Sequence, residues 1–430
     1  MNEKLNLSIY PDCGINLFGY IKSEFGLGES VRLLVGAFQS VEIPLNLLNF
    51  SKVPHKQATY NFNELQINKL YPINLIHINP DVLPAVITDF SEDYFINKYN
   101  IAYWYWELEM LPDSWKDYSY IFHEIWTASE FIATQIRKNT DVPVYVIPPP
   151  VLGPLDYNSL KKNSRKKGEK CIFLFIFDFL SVQRRKNPED AINAFQTAFK
   201  NEDNTRLIIK SINGHLAEKE LKNLEQIASR DKRIILINGY VPRSEIWELI
   251  SESDCYISLH AAEGFGLTIA EAMIMEKPVI ATAYSGNMDF MNNENSYPVL
   301  YNKKPINIVN SIYAENASWA EPDLNDCALK MRQVHDFPEE AAEKGERARE
   351  DILAKYNKER SGNLISRRIM EIAALINAED FFDQPANRRQ KIIFNYLRES
   401  EASKKKNLFQ RMIQIPFAVW RRLKKIANKD

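Results

Sequence analysis

The sequence predicts an α/β protein with two doubly wound parallel sheets. Short apolar runs alternate with amphipathic helical patterns in both halves of the 430-residue chain, and this alternation is typical of βαβ units. The run “KCIFLFIFDF” at 170–179 is apolar almost throughout, as are strands covered on both faces of a sheet. The polar, basic stretch “SLKKNSRKKGEK” at 159–170 separates the two series and predicts a loop between domains.

The elements of the first series follow from their local patterns. “GESVRLLVGAFQS” predicts an amphipathic helix, because its apolar residues recur at helical spacing. The prolines at 148–150 cannot continue the interior of a sheet and mark the exit from the last strand. Strands are predicted in “NLSIY”, “INLIHIN”, “NIAYWYW”, “EIWTAS” and “VPVYVIPPP”. We therefore expect an N-terminal domain over residues 1–155.

The second series begins with the buried run at 170–179. In “NPEDAINAFQTAFK”, Asn187 is a candidate N-cap and Pro188 suits the first position of the helix. Further strands are predicted in “RLIIKS”, “RIILINGYV”, “CYISLH” and “PVIATA”, and helices in “EKELKNLEQIAS”, “SEIWELISES” and “TIAEAMIME”. From about residue 340 the pattern is helical. We expect a second domain over 170–357 and a basic helical tail over 379–430.

Composition excludes several functional classes. The net charge of −2 argues against a general nucleic-acid binder. The N-terminus has no basic start followed by a long apolar run, and no stretch is apolar enough to span a membrane, so a cytoplasmic protein is expected. The four cysteines are widely spaced and form no CxxC pair, so buried thiols in a reducing compartment are expected: Cys13, Cys171, Cys255 and Cys327.

The stretch “AAEGFGLTIAEAM” at 261–273 places two carboxylates around a glycine turn. Gly264 and Gly266 allow the backbone to approach a ligand closely, and the helix that follows directs its free N–H groups at the turn. Such a turn predicts a seat for a diphosphate. Glu271 suits the hydroxyls of a ribose, and Glu263 would point into the cleft. The alternative is that Glu271 complements the helix dipole and Glu263 is a solvated turn residue.

Together, “EGFGLTIAEAM” and “KPVIATAYSGN” resemble the signature of family 4 glycosyltransferases, which are retaining enzymes of the GT-B fold. The resemblance implies two Rossmann-like domains facing across a cleft, with C-terminal helices crossing back so that about 358–378 complete the first domain. It also implies that Glu263 lies beside the donor sugar and that Glu271 binds the ribose of the nucleotide. The implied donor-binding set further includes the backbone amides of Phe265, Gly266 and Leu267, and Asn287 of the “SGN” turn.

The basic triplet Arg184, Arg185 and Lys186 lies between a predicted central strand and a helix. Cations there can neutralise a leaving diphosphate, although a basic run is also common in surface loops. The family usually has an arginine five residues before the lysine, and Ser181 stands at that position here. The resemblance therefore implies Lys186 as a site residue and leaves open whether Arg184 or Arg185 supplies the second cation. Lys210 is either a further candidate or a solvated lysine at a strand end.

The first half contains fewer site candidates. Gly26 and Gly28 resemble the glycine loop of the family, which approaches the donor phosphates, but a plain tight turn is an equal alternative. Where many members have a histidine, this chain has Trp106-Glu107, and Glu107 is expected to orient the acceptor or bind substrate. About half of the aromatic residues in “IAYWYWELEMLPDSW” are expected in the core. His77, His123 and His260 are expected to be structural. The alternative for His77 is that it lines the acceptor side.

The resemblance implies a retaining glycosyltransferase that moves a sugar from a nucleotide diphosphate sugar to a glycan or lipid-linked acceptor in surface polysaccharide or glycoconjugate synthesis. No cofactor is expected, and no metal, because Lys and Arg supply the positive charge. The alternatives are a nucleotide-sugar epimerase and a noncatalytic scaffold. The tail carries nine Lys or Arg against two acids over 401–430. Its stretch 404–429 is expected either to contact the inner face of the cell membrane or to remain a solvated or docked helix.

Overall fold

The computed structural model describes residues 14–58, 60, 70–89, 92–160, 165–200, 204–306, 313, 316–377 and 381–413. Its strands are β1 Ile15–Gly19, β2 Leu45–Asn49, β3 Ile73–His77, β4 Tyr99–Trp104, β5 Glu124–Thr127, β6 Val144–Val146, β7 Cys171–Asp178, β8 Thr205–Ile212, β9 Ile234–Asn238, β10 Cys255–Ser258, β11 Val279–Thr282, β12 Tyr297–Val299, β13 Tyr301–Pro305 and β14 Ser318–Pro322. Its α-helices are α1 Gly26–Ser40, α2 Leu83–Asp89, α3 Glu92–Phe95, α4 Asp113–Ser119, α5 Glu130–Arg137, α6 Tyr157–Leu160, α7 Gln183–Lys186, α8 Pro188–Ala198, α9 Glu218–Ala228, α10 Arg243–Glu252, α11 Leu267–Ile274, α12 Leu324–Asp336, α13 Pro338–Lys355, α14 Lys358–Ile376 and α15 Pro385–Ile413.

Two parallel six-stranded sheets form the centre of the molecule. Their strand orders are β2-β1-β3-β4-β5-β6 and β12-β11-β10-β7-β8-β9, and every pairing within them is parallel. The chain reverses its direction of progress across each sheet once, between β1 and β3 and between β7 and β10. Ligands bind at such reversal points, outside the carboxyl ends of the strands. The predicted pair of doubly wound sheets is confirmed.

Most predicted strands occur where their apolar runs stand, with two differences in the first sheet. The run “NLSIY” lies outside the described residues, and the first described strand is β1. Strands β1 and β2 were not predicted. Strand β2 is an edge strand whose sequence “LNLLN” shows no clear alternation. It is joined to the sheet by a ladder of buried asparagines, in which neighbouring side chains of β2, β1, β3 and β4 are bonded at 2.8–2.9 Å: Asn46, Asn16, Asn74 and Asn100.

The C-terminal helices return to the first sheet, as the resemblance implied. Helix α14 packs on α1, and Arg368 of α14 donates through Nε to both carboxylate oxygens of the buried Glu124 at 3.0 and 3.1 Å. Helix α15 then continues on the same domain, where Phe394 stacks on Phe95 with ring centroids 4.5 Å apart. The first part of the predicted basic tail is therefore a docked helix. Residues 414–430 lie outside the described part of the chain.

Burial resolves two further expectations. Cys171, Cys255 and Cys327 are buried free thiols, as predicted, and burial raises the pKa of Cys171 to about 12; Cys13 lies outside the described residues. Of the five aromatic residues between the end of β4 and α4, Tyr105 is half-buried and the other four are buried: Tyr103, Trp104, Trp106 and Trp115. More of them therefore belong to the core than the half that was expected. Trp104 and Trp106 pack on Trp115 of α4, whereas Tyr103 and Tyr105 contact His77. None of the described helices is long and apolar enough to cross a membrane.

Candidate active site

A buried ion cluster lies at the carboxyl ends of β7 and β10, at the reversal point of the second sheet. The short helix α7 follows β7 and carries Arg185 and Lys186, and the turn after β10 carries Glu263. Lys186 Nζ is ion-paired with Glu263 Oε1, and Arg185 Nη1 lies 3.5 Å from the same oxygen. Arg185 also reaches the first domain, where its Nε is 3.2 Å from Glu107 Oε1. Three segments that are distant in sequence thus meet in one place.

Local hydrogen bonds fix α7 against the β10 turn. Arg185 accepts a hydrogen bond at its carbonyl oxygen from the Ala261 N–H, 2.7 Å away, and donates from Nη1 to the Ala262 carbonyl oxygen at 3.0 Å. The Asn187 residue that ends α7 and begins α8 adopts the left-handed conformation, with φ of 63°, and makes no side-chain cap. The predicted helix start at Pro188 is correct, but Asn187 acts through its backbone conformation.

The charges of the cluster support one another. Burial alone raises the pKa of Glu263, but the neighbouring ammonium of Lys186 and guanidinium of Arg185 outweigh it and hold that pKa at about 2. Burial lowers the pKa of Lys186, while Glu263 opposes that change. A buried pair of this kind keeps both groups ionised only while they remain together.

The backbone of Glu263 is held on both sides by the turn after β11. Its N–H donates to Ser285 Oγ at 2.7 Å, and its carbonyl oxygen accepts from the Gly286 N–H at 2.8 Å. Ser285 adopts a φ of 75° and a ψ of −150°, a conformation that is strained for a residue other than glycine. A Cβ at Gly286 would lie 1.9 Å from the Gly264 carbonyl oxygen. The glycine in “SGN” is therefore required for the two turns to touch.

Next to this contact, helix α11 presents unbonded amides. Its N-cap Gly266 has a φ of 89°, which glycine adopts without strain. Within the described part of the chain, no hydrogen bond is donated by the N–H groups of Phe265, Gly266, Leu267 and Thr268. The side chain of Phe265 packs in the core, so its backbone alone faces the turn. Free amides at a helix N-terminus suit an anion, and the anion seat stays a prediction.

Glu271 lies one turn further along α11 and is buried, where its carboxylate is ion-paired with Arg243 of α10. Burial raises the pKa of Glu271, and Arg243 opposes the rise. Arg243 also acts on Glu29 in the first turn of α1: burial raises the pKa of Glu29, but Arg243 and Arg32 lower it below its ordinary value. Arg243 was not predicted, although its place just after β9, at the same sheet edge, could have indicated it.

Several predicted donor-binding residues take other positions. Arg184 is exposed, so among the triplet it is Arg185 and Lys186 that contact Glu263. Lys210 is not a solvated lysine, because it is buried in β8 and donates to the Ser211 carbonyl oxygen at 2.9 Å. Ser181 lies in the turn after β7, where its N–H donates to the Asp178 carbonyl oxygen.

Asn287 is fully buried and supports the turn from within. It donates to the Thr282 carbonyl oxygen at 3.0 Å, and its Oδ1 lies 3.0 Å from His260 Nε2. Burial lowers the pKa of His260, so this histidine is a neutral bridge under the Glu263 turn. Both residues hold the turn in place, and neither leaves a side-chain face open for the donor.

Gly26 and Gly28 are part of α1, which begins at Gly26 rather than after Gly28. A Cβ at Gly28 would lie 2.0 Å from the Ser23 carbonyl oxygen, whereas nothing lies within 4 Å of one at Gly26. Gly28 is thus required by the tight turn itself, and only Gly26 leaves open space in front of the helix. These glycines precede Glu29, which lies near Arg243. The start of α1 therefore faces the part of the cleft that contains Arg243.

The remaining predicted histidines are structural. His77 is buried and stacks on Tyr103 at 4.6 Å, with Nε2 at 3.1 Å from Ser30 Oγ. His123 Nε2 lies 3.0 Å from Asn387 Oδ1 and so anchors α15. Burial lowers the pKa of both to about 4. Neither lies in the ion cluster. No group of three or more His, Cys, Asp or Glu residues in the described ranges is arranged to hold a metal ion.

Comparison with known proteins agrees with this geometry. Residues 156–313 match the family model of glycosyl transferases group 1. The chain has the GT-B fold. Among solved structures, HepE from Anabaena, in complex with UDP and glucose, shares 13% identity at a TM-score of 0.59 and covers 83% of this chain and 100% of its own. Sucrose-phosphate synthase from Thermosynechococcus elongatus shares 15% identity at a TM-score of 0.60 and covers 84% of this chain and 99% of its own.

Other comparisons add less. A TarM variant from S. aureus, solved with fondaparinux, α-GlcNAc-glycerol and UDP, shares 18% identity at a TM-score of 0.49, and the chain spans 55% of its length. No curated protein matches the chain. The family match covers the second domain, and the solved structures show the GT-B fold. The matched segment contains the cations of α7 and the Glu263 turn, whereas Glu107 of the ion cluster lies outside it.

Proposed function

We propose that the protein is a retaining glycosyltransferase, which moves a sugar from a nucleotide diphosphate sugar to a glycan or lipid-linked acceptor in surface polysaccharide or glycoconjugate synthesis. One observation carries the proposal: Glu263, Lys186, Arg185 and Glu107 meet in one cluster beside the unbonded amides at the start of α11. Cations and amide donors in a buried site stabilise the negative charge that develops on a leaving diphosphate.

We infer that different residues bind different ends of the donor. The diphosphate would lie on Arg185, Lys186 and the α11 amides, and the ribose would take Glu271 in place of its ion pair with Arg243. Glu263 would then be released from Lys186 to contact the transferred sugar. Glu107, on the first domain, would face the acceptor. The retaining chemistry implied by the family lets the diphosphate take the proton of the acceptor, so no separate general base is assigned.

The proposal is tested with UDP- and GDP-sugars and a panel of p-nitrophenyl glycoside acceptors, by measuring nucleotide release and product. We expect Lys186→Ala, Arg185→Ala and Glu263→Ala each to lower kcat/KM by roughly a hundredfold or more, as removal of a preorganised transition-state contact does. Arg184→Ala is the matched control, because this exposed cation lies outside the cluster. Full turnover in the first three variants would refute the site, and sugar epimerisation without acceptor would identify an epimerase.

Three finer parts of the proposal have separate tests. Retention of configuration predicts that the new glycosidic linkage keeps the anomeric form of the donor, observed by NMR of the product. Metal independence predicts unchanged rates in excess chelator, since cationic side chains fill the metal's role. Binding of no nucleotide in calorimetry would support the noncatalytic scaffold instead.

We also propose that the basic stretch 404–429 brings the enzyme to the inner face of the cell membrane. Its nine cations over 401–430, interspersed with apolar residues, suit an anionic lipid surface. Co-sedimentation with vesicles containing about one-third phosphatidylserine should be lost in high salt and on deletion of 404–430. Equal binding to neutral vesicles would contradict the electrostatic mechanism.

A further inference from the structure

Strands β13 and β14 form an antiparallel pair outside both parallel sheets, on the second domain. Tyr313, between them in sequence, reaches across to the first domain. Its side chain is buried, and its ring makes edge contacts with Trp106 and Trp319, at centroid distances of 5.7 and 6.1 Å. Its hydroxyl is therefore held in one place by a tryptophan of each domain.

That hydroxyl donates to Glu107 Oε1 at 2.7 Å. The same oxygen is ion-paired with Arg185, whose Nε lies 3.2 Å away without making a hydrogen bond. No hydrogen bond to Glu107 Oε2 occurs among the described residues. The second domain thus supplies one hydrogen bond and one cation to Oε1 of the carboxylate and leaves Oε2 for another donor.

Arg185 by itself is a poor anchor for Glu107 during the reaction. It also lies near Glu263, and a bound diphosphate would draw its guanidinium away from both carboxylates. Tyr313 carries no charge, and burial together with Glu107 raises its pKa further, so the hydroxyl remains a donor. A second bridge from the same strand pair, between Lys303 Nζ and Glu109 Oε1 at 2.6 Å, holds the neighbouring part of the loop.

We propose that Tyr313 is a positioning residue: it fixes the rotamer of Glu107 so that Oε2 receives the acceptor hydroxyl while the donor occupies the cations. This inference rests on the proposed glycosyl transfer and adds a residue of the donor domain to the acceptor site. It predicts that loss of the hydroxyl impairs acceptor use and leaves nucleotide binding intact.

The test compares Tyr313→Phe with Tyr297→Phe. Both substitutions keep a buried ring and remove one hydroxyl, but the Tyr297 hydroxyl has no hydrogen-bond partner among the described residues. The nucleotide dissociation constant is measured by calorimetry with UDP and GDP. Initial rates are measured with the matching sugar nucleotide and the best p-nitrophenyl glycoside of the panel as acceptor. If the enzyme accepts none of these glycosides, the rate of hydrolysis is measured, with water as the acceptor.

For Tyr313→Phe we expect a roughly tenfold loss in kcat/KM for the acceptor, the size of one hydrogen bond to a charged group, with nucleotide affinity within about twofold of wild type. In a Glu107→Gln background the same substitution should add almost nothing, because the two residues act as a unit. Equal rates for Tyr313→Phe and Tyr297→Phe, or an undiminished tenfold loss in the Glu107→Gln background, would overturn the inference while leaving the proposed function standing. A wild-type protein that neither binds a nucleotide nor consumes a sugar nucleotide would overturn both.

Discussion

Replacing Glu263 with Gln removes one charge from the buried cluster with almost no change in shape. The Glu263 side chain is only 14% exposed, and its ion-paired partner Lys186 is 20% exposed. Arg185 keeps Glu107 as a counter-charge, but Lys186 loses its ion-pair partner. Removing one partner of a buried pair typically costs 3–5 kcal/mol. Since this pair is partly exposed, we expect the free energy of unfolding to fall by about 3 kcal/mol.

The same substitution should strengthen nucleotide binding while abolishing turnover. The carboxylate competes with a diphosphate for Lys186 and Arg185 and repels it, so Glu263→Gln should lower the dissociation constant for UDP or GDP. Urea unfolding measures the stability change, and calorimetry measures the affinity. The matched control is Glu109→Gln, whose carboxylate pairs with Lys303 at the surface and is 43% exposed; such pairs contribute about 1 kcal/mol or less.

Two results would refute this reasoning. One is a loss of stability in Glu263→Gln no larger than in Glu109→Gln, which would mean that the cluster is effectively solvated. The other is weaker nucleotide binding in Glu263→Gln, which would mean that the carboxylate does not compete with the phosphates for the cations.

Because the pKa of Glu263 is lowered from 4.5 to about 2, its stabilising contribution is present above pH 4.5 and is lost as the pH falls towards 2; the difference in urea midpoint between wild type and Glu263→Gln should therefore shrink on acidification through this range. Gly286→Ala forces a Cβ to within 1.9 Å of the Gly264 carbonyl oxygen. We therefore expect the free energy of unfolding, measured by thermal unfolding, to fall by about 1–3 kcal/mol, with a larger relative loss of turnover. Unchanged kinetics would show that the turn moves freely. Arg368→Ala leaves the carboxylate of Glu124 buried without its cation. The free energy of unfolding, measured with urea, should therefore fall by about 3–5 kcal/mol. A fall below about 1 kcal/mol would show that α14 contributes little to the stability of the first domain.

The local features of the site could be predicted from short stretches of sequence. The glycine at the N-cap of α11, the helix start at Pro188 and the apolar run of β7 each depend on the conformations available to a few consecutive residues. Such preferences are encoded within a window of one element. For the same reason the glycine turn at the start of α11 follows from its sequence.

The sequence by itself thus determined the two α/β series, the alternation that makes parallel sheets, and the glycine turn with its two carboxylates. Only the tertiary structure decided that Arg185 and not Arg184 joins Lys186, that Asn287 is buried under the turn, and that Tyr313 and Arg185 share one oxygen of Glu107. The physical reason is that these contacts join residues far apart in the chain. They depend on how the two sheets face each other, which no local propensity specifies.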